Sequence, residues 1–108
     1  MAGEALTTDG GREFNPDWTI APAELLQFWL EKNNLRTEAL AVMCGGRAYK
    51  ATALELITEV LDRKPLRDLN AQCLERGTGV PARFWLAFEH NYRSGLAAGR
   101  TDASEVRR

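Results

Sequence analysis

From residue 22 onwards, apolar side chains recur every three or four positions, the spacing that lines one face of a helix. Leu25, Leu26, Trp29 and Leu30 form the first such face. Pro22 opens it, because the first helical turn does not need the N–H that proline lacks. Asn33 and Asn34 end it, since asparagine tolerates a left-handed stop. "LRTEALAVMC" predicts a second, short helix, with Thr37 as N-cap and with Leu40, Ala41 and Met43 or Cys44 turned inward. Gly45-Gly46 breaks that helix. A third is expected from about Ala48 to Arg63, buried along Ala51, Leu54, Ile57, Val60 and Leu61, with Pro65 preventing its continuation. "LRDLNAQCLER" gives a fourth, closed by Gly77-Thr78-Gly79. Pro81 opens a fifth, whose Phe84, Trp85, Phe88, Tyr92 and Leu96 make an aromatic stripe and whose end Gly95 and Gly99 weaken. No stretch alternates with period two for long enough to be a strand. The pattern predicts an all-α domain of five helices with short connections.

The two ends of the chain lack this pattern. Residues 1–13 are rich in Gly, Thr and charge and read as a flexible tail. "FNPDWTIAP" reads as an extended lead-in, because Asn15 and Ala21 each precede a proline. Phe14 and Trp18 can still pack on the domain. "RTDASEVRR" reads as frayed. The expected organisation is therefore a tail over 1–13, a folded body over 14–98 and a second flexible tail over 99–108.

Composition narrows the classes. The chain is 44% apolar and 27% charged with three tryptophans, as a folded globular domain should be. No apolar run is long enough to span a membrane, and the polar opening "MAGEALTTDGGREF" is unlike a secretory signal, so the cytoplasm is the expected compartment. Cys44 and Cys73 then read as reduced, buried thiols. One histidine and no Cys-x-x-Cys argue against a metal site, and no nucleophile–base pair can be nominated, so neither a catalytic residue nor a cofactor is expected. A formal net charge of −1 argues against a general polyanion binder but leaves room for a local basic face.

Three stretches together resemble the helix-turn-helix domains of the phage-repressor-like superfamily, and within it the HigA-type antitoxin branch. "FNPDWTIAPAELLQFWLEKNNL" is similar to the family's entry and first helix. "LRTEALAVMCG" is similar to its Leu-Ser-Gln-x-Glu-Leu-Ala second helix. "LERGTGVPARFWLAFEHNYRSGLA" is similar to its closing Leu-Glu-Arg, Gly-Val-Pro, Phe-Trp and Asn-Tyr pattern. The resemblance covers residues 14 to about 98. It implies a five-helix, lambda-repressor-like helix-turn-helix domain that binds double-stranded DNA as a homodimer. For the antitoxin branch it also implies a toxin protein as partner. The sequence departs from the family at Ala23, at Arg36-Thr37 in place of Ser-Gln, and in a third helix several residues too long that ends in Asp62-Arg63.

Where the surplus falls decides which side chains would meet DNA. Counted back from "LITEVLDRKPL", the base-reading positions hold Ala53, Leu54, Glu55, Leu56 and Thr58, an apolar and acidic face expected to be repelled by phosphates and blind to base edges. Counted forward from the glycines, they hold Arg47, Ala48, Tyr49, Lys50 and Thr52, which can meet guanine edges or phosphates. The second placement is preferred, because the start of a recognition helix meets the bases and its N-terminus favours a phosphate. It places Arg36 and Thr37 at the start of the second helix near the backbone, with Lys64 and Arg67 as further phosphate contacts. Residues 45 to 67 hold five basic and three acidic side chains. Phe88 and Tyr92 are candidates for covering a dimer contact, and His90 reads as an exposed helix residue.

The function that follows is a sequence-specific transcriptional regulator, antitoxin-like or phage-repressor-like, and not an enzyme. The competing reading is a protein-interaction module that keeps the fold and has lost DNA binding. A third reading makes the chain one domain of a longer protein.

Overall fold

The computed structural model of this chain describes residues 18–106. The expected flexible tail over 1–13 and the packing of Phe14 lie outside the described residues. The body is mostly helical. In chain order it consists of β1 (Trp18–Thr19), α1 (Pro22–Lys32), α2 (Thr37–Gly45), α3 (Lys50–Leu61), α4 (Asp68–Thr78), α5 (Ala82–Ala97), β2 (Thr101–Asp102) and α6 (Ala103–Val106). Among the described residues, no helix is long and apolar enough to cross a membrane.

Helix α1 begins at Pro22 and buries Leu26 and Leu30, with Leu25 and Trp29 half-buried beside them. Asn34 takes the left-handed stop at φ 54°, and the Leu35 N–H closes it on the Leu30 carbonyl at 2.9 Å. In α2 the first turn closes one residue earlier than expected. The Leu40 N–H donates to the Arg36 carbonyl at 3.1 Å, so Arg36 is the N-cap and Thr37 the first helical residue. Leu40, Ala41 and Cys44 are buried, and Met43 faces out.

Helix α3 is shorter than 48–63 at both ends, and its buried face is rotated from the expected one. Ala53, Ile57 and Val60 are buried at steps of four and three, while Ala51 lies on the opposite, exposed face. Its end is set by Arg63, at φ 63°, with the Lys64 N–H donating to the Glu59 carbonyl at 3.0 Å. That is the left-handed closure usually given to glycine. Asn70, fully buried, then ties α4 to α3. Its Nδ2 donates to the Leu56 carbonyl at 2.8 Å and its Oδ1 accepts the Arg67 N–H at 2.7 Å.

Trp85 and Tyr92 of α5 are buried as the aromatic stripe predicts, but Phe84 is 45% exposed, with the Arg83 guanidinium over its ring. Gly95 does more than weaken α5. A Cβ there would lie 2.6 Å from Thr19 Cβ, so the missing side chain lets β1 rest on the helix.

The largest departure is at the C-terminal end. Residues 99–106 are not a loose tail. Thr101–Asp102 pairs in parallel with Trp18–Thr19, and Asp102 and Ala103 are buried. Asp102 accepts from Arg63 Nε at 2.7 Å, from the Tyr92 hydroxyl at 2.6 Å, and from the Ser104 N–H and hydroxyl at 2.9 and 2.8 Å. Burial alone would raise this carboxyl, but the hydrogen bonds from Arg63, Tyr92 and Ser104 outweigh it and hold it well below the usual carboxylate range. Arg63 also reaches Glu24 of α1 at 3.3 Å, and its carbonyl accepts from Arg93 at 2.8 Å. This clasp joins α1, the end of α3, α5 and β2. Tyr92 is committed to it and is too buried to cover a dimer contact.

Candidate nucleic-acid interface

The corner between α2 and α3 is built by a glycine and by two contacts from α4. Gly46 caps α2 at φ 67°, ψ −176°, a conformation that only glycine adopts without strain, and its N–H donates to the Val42 carbonyl at 2.7 Å. From α4, Arg76 Nε donates to the Cys44 carbonyl at 2.8 Å and satisfies the open end of α2. One residue on, Gly77 lets α2 approach closely. A Cβ there would overlap Cys44 Sγ and sit 2.6 Å from Leu40 Cδ1. The corner is therefore seated on α4.

Cys44 and Cys73 are free and buried beneath it. The neighbouring Cys73 thiol, with burial added, pushes Cys44 far above the ordinary thiol value. Both read as apolar filler, as expected from sequence. No group of His, Cys, Asp or Glu among the described residues is arranged to hold a metal ion.

Four residues, 46–49, separate the helices. Arg47, Ala48 and Tyr49 therefore sit in the turn and not on α3, whose first residue is Lys50. This corrects the forward placement, which put all five positions from Arg47 to Thr52 on the reading face. Arg47, Tyr49, Lys50 and Thr52 are all exposed, Tyr49 by 69%. Among the described residues, neither Arg47 nor Lys50 is in an ion pair. These four mark the tip of the corner.

The other expected contacts are not gathered with them. Arg36 and Thr37 lie at the far end of α2, ~13 Å along a nine-residue helix. Lys64 is exposed beyond the far end of α3, ~18 Å from the tip along a twelve-residue helix. Arg67 donates to Glu59 at 2.8 Å, so its charge is already partnered. The hydrogen bonds from Arg67 and then Asn70 hold the Glu59 carboxyl below its ordinary value.

On the outward side of α3, Ala51, Thr52, Glu55 and Thr58 are exposed; sequence reasoning names Thr52 as a contact, sets Glu55 and Thr58 aside with the backward placement, and wrongly puts Ala51 in the buried stripe. It also missed Arg76 as the cap of the corner, although "LER" had been singled out. The chain matches no protein-family profile, no curated protein and no solved structure.

Proposed function

We propose that this chain is a sequence-specific DNA-binding regulator of the helix-turn-helix kind, acting as a homodimer on a two-fold operator. The observation that carries the reading is the tip. Arg47 and Lys50 project from a corner seated on α4, with no ion-pair partner among the described residues. Charged side chains on a rigid, outward corner suit a major groove, where phosphate contacts fix register and a few side chains read bases. The connectivity of a nine-residue helix, a tight turn and a twelve-residue helix supports the same reading, as does the resemblance in the flanking stretches.

Arg36 and Lys64 serve as outlying phosphate contacts, and Arg67 does not. The dimer face lies on Trp18, Ile20 and Phe28, exposed by 38, 41 and 61% beside hollows lined by Leu25 and Phe88. The test is a salt titration on duplexes selected from a random pool. Arg47→Ala with Lys50→Ala should abolish selective binding. It should also flatten the plot of log affinity against log salt by about two, because each neutralised phosphate contributes roughly 0.9. Undiminished selectivity in the double variant contradicts the reading.

A second reading has its own observation. Val42, Met43 and Tyr49 are 38, 49 and 69% exposed at the same corner, and Glu55 lies on the outward face of α3. Those features suit a protein partner. Absence of retention on random-sequence duplex at low salt would favour it.

A further inference from the structure

We propose that Glu55 reads a cytosine in the duplex that this chain binds. The inference rests on the regulator reading above and deepens it to a base preference. Ala51, Glu55 and Thr58 are spaced by four and three residues and are exposed, opposite the buried Ala53, Ile57 and Val60. Glu55 therefore stands one turn beyond Thr52 of the tip and on the same side of the helix, ~5 Å further along it. Ala51, one turn nearer the tip, is too short to contest the same base edge.

Glu55 is also chemically available. The next carboxylate along α3, Glu59, is occupied by Arg67 at 2.8 Å and Asn70 at 3.1 Å. Among the described residues, the Glu55 side chain has no ion pair or hydrogen bond. An ionised carboxylate only accepts hydrogen bonds. In the major groove, guanine offers two acceptors, thymine an acceptor and a methyl group, and adenine an amino group beside the N7 acceptor. Cytosine alone offers an amino donor with no acceptor on its own edge. Elsewhere the carboxylate meets acceptors and phosphates that repel it. Glu55 thus lowers affinity for most sequences and spares those with cytosine at one position. It supplies selectivity, while Arg47 and Lys50 supply attraction.

The experiment is parallel selection from a random duplex pool with the unaltered chain, Glu55→Ala and Glu55→Gln, each checked for an unchanged melting temperature. The unaltered chain should select a site with one C·G pair at which any other base weakens binding about tenfold. Glu55→Ala should erase that penalty, leave the preferences at neighbouring positions, and bind unselected duplex more tightly. Glu55→Gln should move the preference at that pair from cytosine to adenine, which glutamine can contact at both N6 and N7. If both variants select the same base at every position as the unaltered chain, Glu55 reads nothing and the inference is overturned while the regulator reading stands. If the unaltered chain selects no sequence, both are overturned, and that failure is visible without any variant.

Discussion

The two ends of α3 carry basic side chains and use them in opposite ways. At the C-terminal end, Arg63 is bound to Asp102 and Glu24, its carbonyl is held by Arg93, and Asp102 is closed off by Tyr92 and Ser104. At the N-terminal end, Arg47 and Lys50 have no ion-pair partner among the described residues, and Tyr49 stands mostly in solvent. A count of charges between residues 45 and 67 treats these ends alike. The bonding does not: cations at the clasp hold the fold together, and cations at the tip are free to meet a ligand.

The comparison is broken most severely at the clasp. Asp102→Asn leaves Arg63, 29% exposed, and the Tyr92 hydroxyl facing a neutral amide, and should cost about 3 kcal/mol in chemical denaturation. The loss should depend on pH. Because the folded carboxyl lies below its unfolded value near roughly 4, its contribution is complete above that pH and fades as pH falls through the folded value. The gap between the unaltered chain and Asp102→Asn should therefore be full at neutral pH and narrow in acid. A gap that stays constant down to low pH would remove the carboxylate from the account.

A smaller effect is expected where the corner is seated. Alanine for glycine inside a helix ordinarily stabilises by about 1 kcal/mol. At Gly77 the new Cβ meets Cys44 Sγ and Leu40 Cδ1, so Gly77→Ala should instead destabilise by about 2 kcal/mol, and the sign of the change in urea midpoint decides. The smallest effect belongs to Arg67, whose ion pair with Glu59 is half-exposed. Arg67→Ala should shift stability by less than ~1 kcal/mol and leave duplex affinity unchanged, which a binding titration checks. A clear loss of affinity would return Arg67 to the set of phosphate contacts.

Much of the helical framework was legible in the sequence. Pro22, Asn34 and the aromatic spacing around Trp85 each act within a turn or two, so local rules reach them. The phase of α3 was not legible. Alanines at 48, 51 and 53 fit either face, and Leu54, Leu56 and Leu61 are all half-buried, so no single stripe stands out. The same ambiguity placed Ala51 on the buried side, where the structure has it exposed. The clasp escaped because its partners are distant: Arg63 and Asp102 lie 39 residues apart, and nothing near "RTDASEVRR" marks an aspartate that will be buried. The tip was half legible. The double glycine announces a corner, but the helix starts at Lys50, two residues later than expected, which moves Arg47 and Tyr49 into the turn.

The central claim is that the tip's cations are spare for folding and required for DNA. The melting temperature of Arg47→Ala/Lys50→Ala, taken with and without a duplex selected by the unaltered chain, tests both halves at once. The account predicts an unchanged melting temperature in the absence of duplex and no rise on its addition, while the unaltered chain is raised by saturating duplex as mass action requires. A double variant that melts early by itself, or that the duplex still stabilises as it does the unaltered chain, would contradict it.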